Sequence, residues 1–376
     1  MSASTIHFLT RPHVLSWLFA LAWFWILDST ERERLPALWL WILPVSMLLW
    51  ANLHGGFLLG FVWLGIYWVS AVWTWLTAKE TRLEDSVAKI ASGRRVRRLS
   101  LVGLLSVAAS FINPYGWELH AHIYSYLTNR FLMDHIDEFQ SPNFHGLAQK
   151  CFLALLLITV AALAACCRKL RLSEILLVLF AVYAGLYASR NIPVSSILVV
   201  LIVGPLLPSF SRWGFVQRMG AVDSRLRGHL WPMLATAAVF LIAVNGGRVG
   251  SARWMDAHFD SARMPVEAVS FIQQSDVKTS VLSVDYWGGY LIYRLYPHNK
   301  VVIDDRHDMY GEGFLSLYLS IVHGERGWDR HLEAYYCLLL PSKSALAVAV
   351  GATPEWKPVY SDEVAIVFMR TDLGRR

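Results

Sequence analysis

Long apolar runs recur through the first 250 residues, and short polar breaks separate them. A helix crossing the hydrocarbon core of a membrane needs about 20 mostly apolar residues. Eight runs qualify as span cores, near 14–27, 37–53, 57–76, 99–112, 147–167, 175–188, 194–207 and 230–244. The short ones need flanking residues to complete a crossing or are re-entrant.

From about residue 251 the pattern changes. Apolar runs shrink to strand length and charges appear every few residues. Residues 279–286, 300–305, 335–340, 357–362 and 363–370 read as strands, the last two as a hairpin turning at Ser361–Asp362. Residues 265–274, 288–296, 313–323 and 343–350 read as helices. Strands alternating with helices predict a small α/β domain. The expected fold is therefore an α-helical polytopic membrane protein of about eight spans over 1–250, with an extracytoplasmic α/β domain over 251–376.

Composition agrees with that division. Hydrophobic residues make up 55% of the chain, charged residues 16%, and mean hydropathy is +0.41. Soluble domains carry about 25% charged residues. The four cysteines, Cys151, Cys166, Cys167 and Cys337, have no zinc-type or disulfide-framework spacing and read as buried thiols. Residues 1–27 lack a small-residue cleavage site of the signal-peptide kind. No phosphate-loop motif is present, and nothing points to nucleic acid.

Charge sorts the loops. The formal net charge of +6 is carried largely by loops 77–98, 168–174 and 208–229, each rich in Arg or Lys. These alternate with loops poor in base, as the positive-inside rule requires, so they belong to the cytoplasm. By parity the 28–36 loop joins them. The opposite face then carries "RPH" (11–13), "NLHGG" (52–56), "NPYGWELHAH" (113–122), "DHIDEFQSPNFHG" (134–146), "SRNIP" (189–193) and the C-terminal domain. The expected location is the inner (plasma) membrane, multi-pass, with that domain in the periplasm or cell envelope.

The outer breaks hold the candidate chemistry. Asn52 and His54 with Gly55 and Gly56 form either a tight helix–helix turn or one wall of a site, with His54 as a proton donor or phosphate contact. Arg190 and Asn191 stand just before Pro193. A cation there either snorkels to the interface or holds a phosphate with its guanidinium fork. The 113–146 loop supplies Asp134, Asp137 and Glu138 as acid–base candidates. It otherwise reads as an amphipathic surface helix with interfacial aromatics. No spacing there supports a metal site. In the outer domain, Asp304, Asp305, Arg306 and Asp308 follow the apolar "VVI" of 301–303. They are expected at the C-terminal end of a central strand, where α/β sheets place ligands, or as a structural ion pair.

Taken together, "RPH", "WANLHGGFLLG" (50–60), "NPYG" (113–116), "EFQSP" (138–142), "RNIP" (190–193), "GGYLIYRL" (288–295) and "VVIDDRHDMYG" (301–311) resemble membrane glycosyltransferases of the GT-C type. More narrowly, they resemble bacterial relatives of dolichyl-phosphate-mannose-protein mannosyltransferases. The resemblance is one of pattern and spans nearly the whole chain. It implies transfer of a sugar from a polyprenyl-phosphate carrier to a glycan, lipid or protein acceptor at the outer face. It also implies membrane lipid as partner, Arg190 on the carrier phosphate, Asn52, His54 and Asn191 lining the site, and Asp134, Asp137 or Glu138 as the acid. It names no cofactor. In such enzymes the catalytic carboxylate usually lies in the first outer loop, but no acidic residue precedes Asp28 here. The chain is thus expected to begin partway through the family pattern. Its alternative role is a non-catalytic membrane subunit whose outer domain binds a glycan or protein.

Overall fold

A computed structural model describes residues 3, 12–78, 83–166, 168–210, 214–226, 228–255, 258–275 and 279–371. Arg11 and Cys167, named above, lie outside them. Two compact units divide the chain, Met1–Met219 and Gly220–Arg376. That boundary falls before the last apolar helix, which the sequence pattern groups with the spans.

Helices make up the first unit: α1 (His13–Glu31), α2 (Ile42–Ala51), α3 (Leu58–Thr77), α4 (Leu83–Ser110), α5 (Trp117–Thr128), α6 (Arg130–His135), α7 (Leu147–Ala164), α8 (Leu172–Tyr187) and α9 (Ile192–Val203), and the unit boundary falls within α10 (Gly214–Arg225). Its core is built on Trp23, Trp50, Trp63, Tyr67, Met47 and Phe57, all fully or nearly fully buried. Buried indoles need partners for their N–H groups. Trp23 donates to Ser46 Oγ at 2.9 Å, and Trp50 to Ser16 Oγ at 2.8 Å.

Large apolar side chains also cover the outside of this unit. Leu18, Val45, Trp73, Leu76, Leu104, Val160 and Leu179 are all more than half exposed. A helix apolar all round belongs in a protein core or a membrane, and only 17% of Leu147–Ala164 is buried. Among the described residues three helices are long and apolar enough to cross a membrane, Gly55–Thr77, Leu147–Ala164 and Ser189–Leu207. The pair Gln217–Arg225 and Leu230–Val244, bent by 90°, makes a fourth if it counts as one span. The sequence pattern led to an expectation of eight. The difference is one of length and charge. Ala37–Ala51 and Leu172–Tyr187 are apolar but stop short of eighteen residues. In α4 the arginines at 94, 95, 97 and 98 leave only the last turns apolar.

The two ends of the bundle differ chemically. At one end the loops rich in arginine meet the end of α1. Glu174 accepts from Arg168 at 2.9 Å and Arg32 at 2.8 Å. It also caps α8 by accepting the Arg171 backbone N–H at 2.9 Å. Glu31 faces Arg95 at 3.5 Å and accepts from Ser173. So the 28–36, 77–98 and 168–174 segments converge, the grouping expected from charge alternation. At the other end the polar breaks meet. Asn52 Nδ2 donates to Ile112 O at 2.8 Å, His120 packs on Phe57, and Ser189 N–H donates to Gln140 O at 2.9 Å.

The second unit contains α11 (Leu230–Val244), a two-stranded β1 (Arg248–Val249)–β2 (Ala252–Arg253) ladder, and an α/β part. That part runs α12 (Val266–Gln274), β3 (Val281–Ser283), α13 (Asp285–Leu295), α14 (His307–Val322), α15 (Trp328–Leu332), β4 (Cys337–Pro341), α16 (Ala345–Gly351), β5 (Trp356–Ser361) and β6 (Ala365–Arg370). The sheet order is β3-β4-β6-β5. β3 pairs parallel with β4, and β4–β6 and β6–β5 are antiparallel, so the expected final hairpin is present. Pro358, which has no N–H to give, sits on edge strand β5. Ala268, Ile272, Trp287 and Leu291 pack on the sheet residues Val281, Leu339 and Val367. Cys337 is buried, and burial pushes its thiol up to about 12.

The expected central strand at 300–304 is not central. It contributes a single parallel bridge, Val281–Val301, on the outer side of β3. Beyond it the backbone leaves the ladder because side chains take its hydrogen bonds. Asp304 N–H donates to Tyr310 Oη at 3.1 Å, and Arg306 N–H to Asp304 Oδ1 at 2.9 Å.

Candidate functional site

Several helices start at the polar end of the first unit, among them α1 at His13, the turn Gly55–Phe57 that leads into α3, and the turn Ser189–Asn191 that leads into α9. Helix N-termini present unpaired N–H groups and the positive end of the helix dipole. His13, His54 and Arg190 come from these starts, and His120 of α5 stands beside them on Phe57.

His54 is the best-defined of them. Its Nδ1 accepts the Gly56 backbone N–H at 3.0 Å and stands 2.8 Å from Ser16 Oγ. Ser16 Oγ already accepts from Trp50 Nε1, so its own proton goes to His54 Nδ1. An Nδ1 that accepts twice holds no proton, and the ring proton therefore sits on Nε2. Burial, then the charges of Arg190 and His13, hold the imidazole below its ordinary value of 6.5. In this tautomer His54 presents Nε2–H as a donor, which fits the phosphate contact of its two expected roles. The same mechanism explains the glycine. A Cβ on Gly56 would stand 2.6 Å from Ser16 Oγ and 2.8 Å from His54 Nδ1. Gly56→Ala is expected to break the dyad and release the His54 tautomer, raising its pKa. NMR titration of the His54 ring in detergent micelles checks this; an unshifted pKa in the variant would disprove the tautomer lock.

Arg190 is half-buried, with its guanidinium 4.5 Å above the Phe139 ring. Phe139 belongs to the turn Asp137–Phe139, tied to Ser189 through Gln140 O. Arg190 is close enough for its charge to act on His54, and the His13 and His54 rings are 6.4 Å apart. The structure therefore brings together His54, Arg190 and the 137–139 turn. Asp134 and Asp137 are exposed and Glu138 is half-buried. Among the described residues no carboxylate lies within 4 Å of Arg190. The two amides serve the backbone: Asn52 Nδ2 donates to Leu48 O and Ile112 O, Asn191 Nδ2 to Ala184 O. Their expected role in lining a site gives way to tethering loops and closing helix ends.

An apolar groove runs down from this polar end. Trp17, Leu21 and Phe24 of α1 form one wall, Val194, Ile197 and Leu201 of α9 the other, with Trp63 between. Trp17 packs against His13 at 5.3 Å. From Trp17 to Phe24 the groove covers about 10 Å of helix rise.

In the second unit Arg306 forms a bidentate pair with the buried Asp304, at 2.5 Å and 3.0 Å. Hydrogen bonding from Arg306 holds the Asp304 carboxyl below its usual range. This is the structural pair, one of the two expected roles. Asp305 and Asp308 are exposed. The sequence reading missed Asp285, which follows β3. His307 Nε2 is 2.7 Å from Asp285 Oδ2, and the Asp285 N–H donates to the buried Tyr318 hydroxyl at 2.9 Å. The Asp285 hydrogen bond raises His307 above 6.5. The signal was available, since Asp285 and His307 each follow a strand segment in the parallel direction. Ser16 and Phe139 carried no such signal.

No family model matches the chain, and no curated protein matches it.

Proposed function

We propose that the chain is a GT-C-like membrane glycosyltransferase of the plasma (inner) membrane, with about eight membrane-crossing or re-entrant segments, the His54–Arg190 end outward and the α/β domain extracytoplasmic. The donor is a polyprenyl-phosphate-linked sugar, the acceptor a glycan, lipid or protein. One observation carries the reading: His54 and Arg190, close enough for the guanidinium charge to act on the imidazole, stand at the turns that lead into α3 and α9, and apolar side chains of α1 and α9 line a groove further along those helices. The groove itself, about 10 Å³, holds no more than a water, so a carrier's apolar tail would lie along the exposed apolar faces of the helices, with its phosphate at Arg190.

In this reading Arg190 and His54 Nε2–H hold the carrier phosphate and stabilise its charge as it leaves. The bond from the sugar C1 to the phosphate oxygen breaks, with the electron pair passing to that oxygen. The acceptor oxygen bonds to C1, and its proton passes to a carboxylate, Glu138 being the half-buried candidate beside Phe139. Neutral His54 suits this role, because it donates a hydrogen bond without needing to titrate.

The test is transfer in proteoliposomes with radiolabelled polyprenyl-phosphate sugars. Arg190→Ala is expected to lower transfer by about 100-fold or more, the loss typical of one oxyanion donor, and to weaken carrier binding. Transfer by the variant at the wild-type rate would end this assignment. The second reading, a non-catalytic binding subunit, is favoured because no carboxylate among the described residues lies within 4 Å of Arg190. It predicts Arg190-dependent carrier binding, no turnover with any acceptor, and no effect of Glu138→Gln.

A further inference from the structure

The α/β part of the second unit contains a cavity of about 170 Å³ that the groups discussed so far do not use. Three segments far apart in sequence line it: α15 with the residue after it, the lead into β5, and the end of β6. Strand register brings the last two together, since Trp356 and Arg370 are cross-strand partners. Thr371 closes the corner by donating its N–H to Glu355 O at 3.0 Å. Arg370 is held from two sides. Its Nη1 donates to Glu333 O at 2.6 Å, and its guanidinium lies over the Tyr336 ring at 5.8 Å. Strand pairing thus fixes the backbone of two of the three walls, while the carboxylates of Asp329, Glu333 and Glu355 are exposed.

The lining narrows the ligand. Trp328 supplies half-buried indole surface with the buried Trp356 beside it, Asp329, Glu333 and Glu355 supply carboxylates, and Arg370 supplies the cation. Three carboxylates against one guanidinium disfavour an anion. Indole surface next to hydrogen-bonding carboxylates suits a molecule with an apolar C–H face and several hydroxyls. The volume is more than ten times the roughly 10–15 Å³ that one water needs. That admits a sugar ring and excludes an extended peptide or a lipid chain.

We infer that this cavity binds a saccharide that is uncharged or carries an amine, and that it rejects phosphorylated and uronic-acid sugars. A role for this sugar as the acceptor rests on the transferase reading above; the binding itself does not. The sugar's C–H face lies on indole, its hydroxyls donate to Asp329, Glu333 or Glu355, and Arg370 donates to a ring or hydroxyl oxygen. An amine gains further from the carboxylates.

Saturation-transfer NMR on the full chain in detergent tests this with methyl glucoside, glucosamine and glucuronate as probes. Methyl glucoside and glucosamine are expected to give saturable signals, and glucuronate at least tenfold weaker binding. Trp328→Ala should lose the signal. Glu355→Gln should weaken glucosamine severalfold more than methyl glucoside; its side chain is exposed, so the fold is kept. Saturable binding by neither sugar, equal binding by glucuronate, or unchanged affinity in both variants would overturn the proposal. Choline binding with no sugar signal would also overturn it, in favour of an amine site. Sugar binding without any transfer in proteoliposomes would overturn the transferase reading and leave this one standing. Transfer without sugar binding at this cavity would do the reverse.

Discussion

Gly288→Ala is expected to destabilise the α/β part by about 1–3 kcal/mol or more, the range for forcing a methyl into packed structure. A Cβ at 288 would stand 2.3 Å from Ile303 O, 2.5 Å from Asp304 Cα and 2.6 Å from Asp304 Cβ. Two of these are backbone atoms and cannot rotate away. Relief requires α13 to separate from the 301–304 segment, which would expose Ile303 and pull Asp304 from its pair with Arg306. Gly289 is the internal control, since a Cβ there meets nothing within 4 Å. Alanine at 289 should be neutral or stabilise the helix by up to about 1 kcal/mol. Thermal unfolding combined with limited proteolysis of the C-terminal unit separates the two variants. Wild-type unfolding of Gly288→Ala would mean that the helix does not approach the segment this closely.

Glu174→Ala should be comparably damaging in the other unit. The carboxylate, with 4% side-chain exposure, accepts from Arg32, from both Arg168 Nη atoms and from the Arg171 backbone N–H. Removing one partner of a buried charge cluster costs about 3–5 kcal/mol. The 41% exposure of Arg168 lets water recover part of that, which puts the loss near the lower end. Burial pulls the Glu174 pKa upward, but the bonds from Arg168 and Arg171 and the charges of Arg168 and Arg32 outweigh it, leaving the pKa below 4.5. A depressed carboxylate stabilises fully above its unfolded pKa and loses that contribution as pH falls through the folded one. Melting temperature in detergent should therefore drop below about pH 4.5 more steeply for wild type than for Glu174→Gln. Parallel pH profiles would show that Glu174 does not carry this linkage.

Much of the architecture could be read from the chain because its signals are local. Run length and period marked the helices of the bundle, β-branched and apolar runs marked β4, β5 and β6, and Arg-rich loops marked one end of the bundle. The span count was less legible. Whether an apolar helix reaches eighteen residues depends on where its ends are capped, and the Glu174 cap at Arg171 and the turn at Ser189 shorten α8. The run at 300–304 was read as a central strand because "VVI" looks the same at the centre or the edge of a sheet. Its pairing ends after Val301 because Tyr310 and Asp304 side chains take the next backbone N–H groups, and Gly288 lets α13 sit against it.

The sequence by itself determined which residue types stand at the helix starts and which loops share an end, because hydrophobic period and charge alternation act over one or two turns. Tertiary structure alone decided what those residues do. Ser16 reaches His54 across 38 positions, Arg32 reaches Glu174 across 142, and Arg190 finds Phe139 rather than an acid. The protonation state of His54, the groove below Arg190 and the sugar-sized cavity beside Trp356 all arise from contacts between distant segments. No local pattern encodes these contacts, because they depend on how packed helices and paired strands bring separate stretches of the chain together.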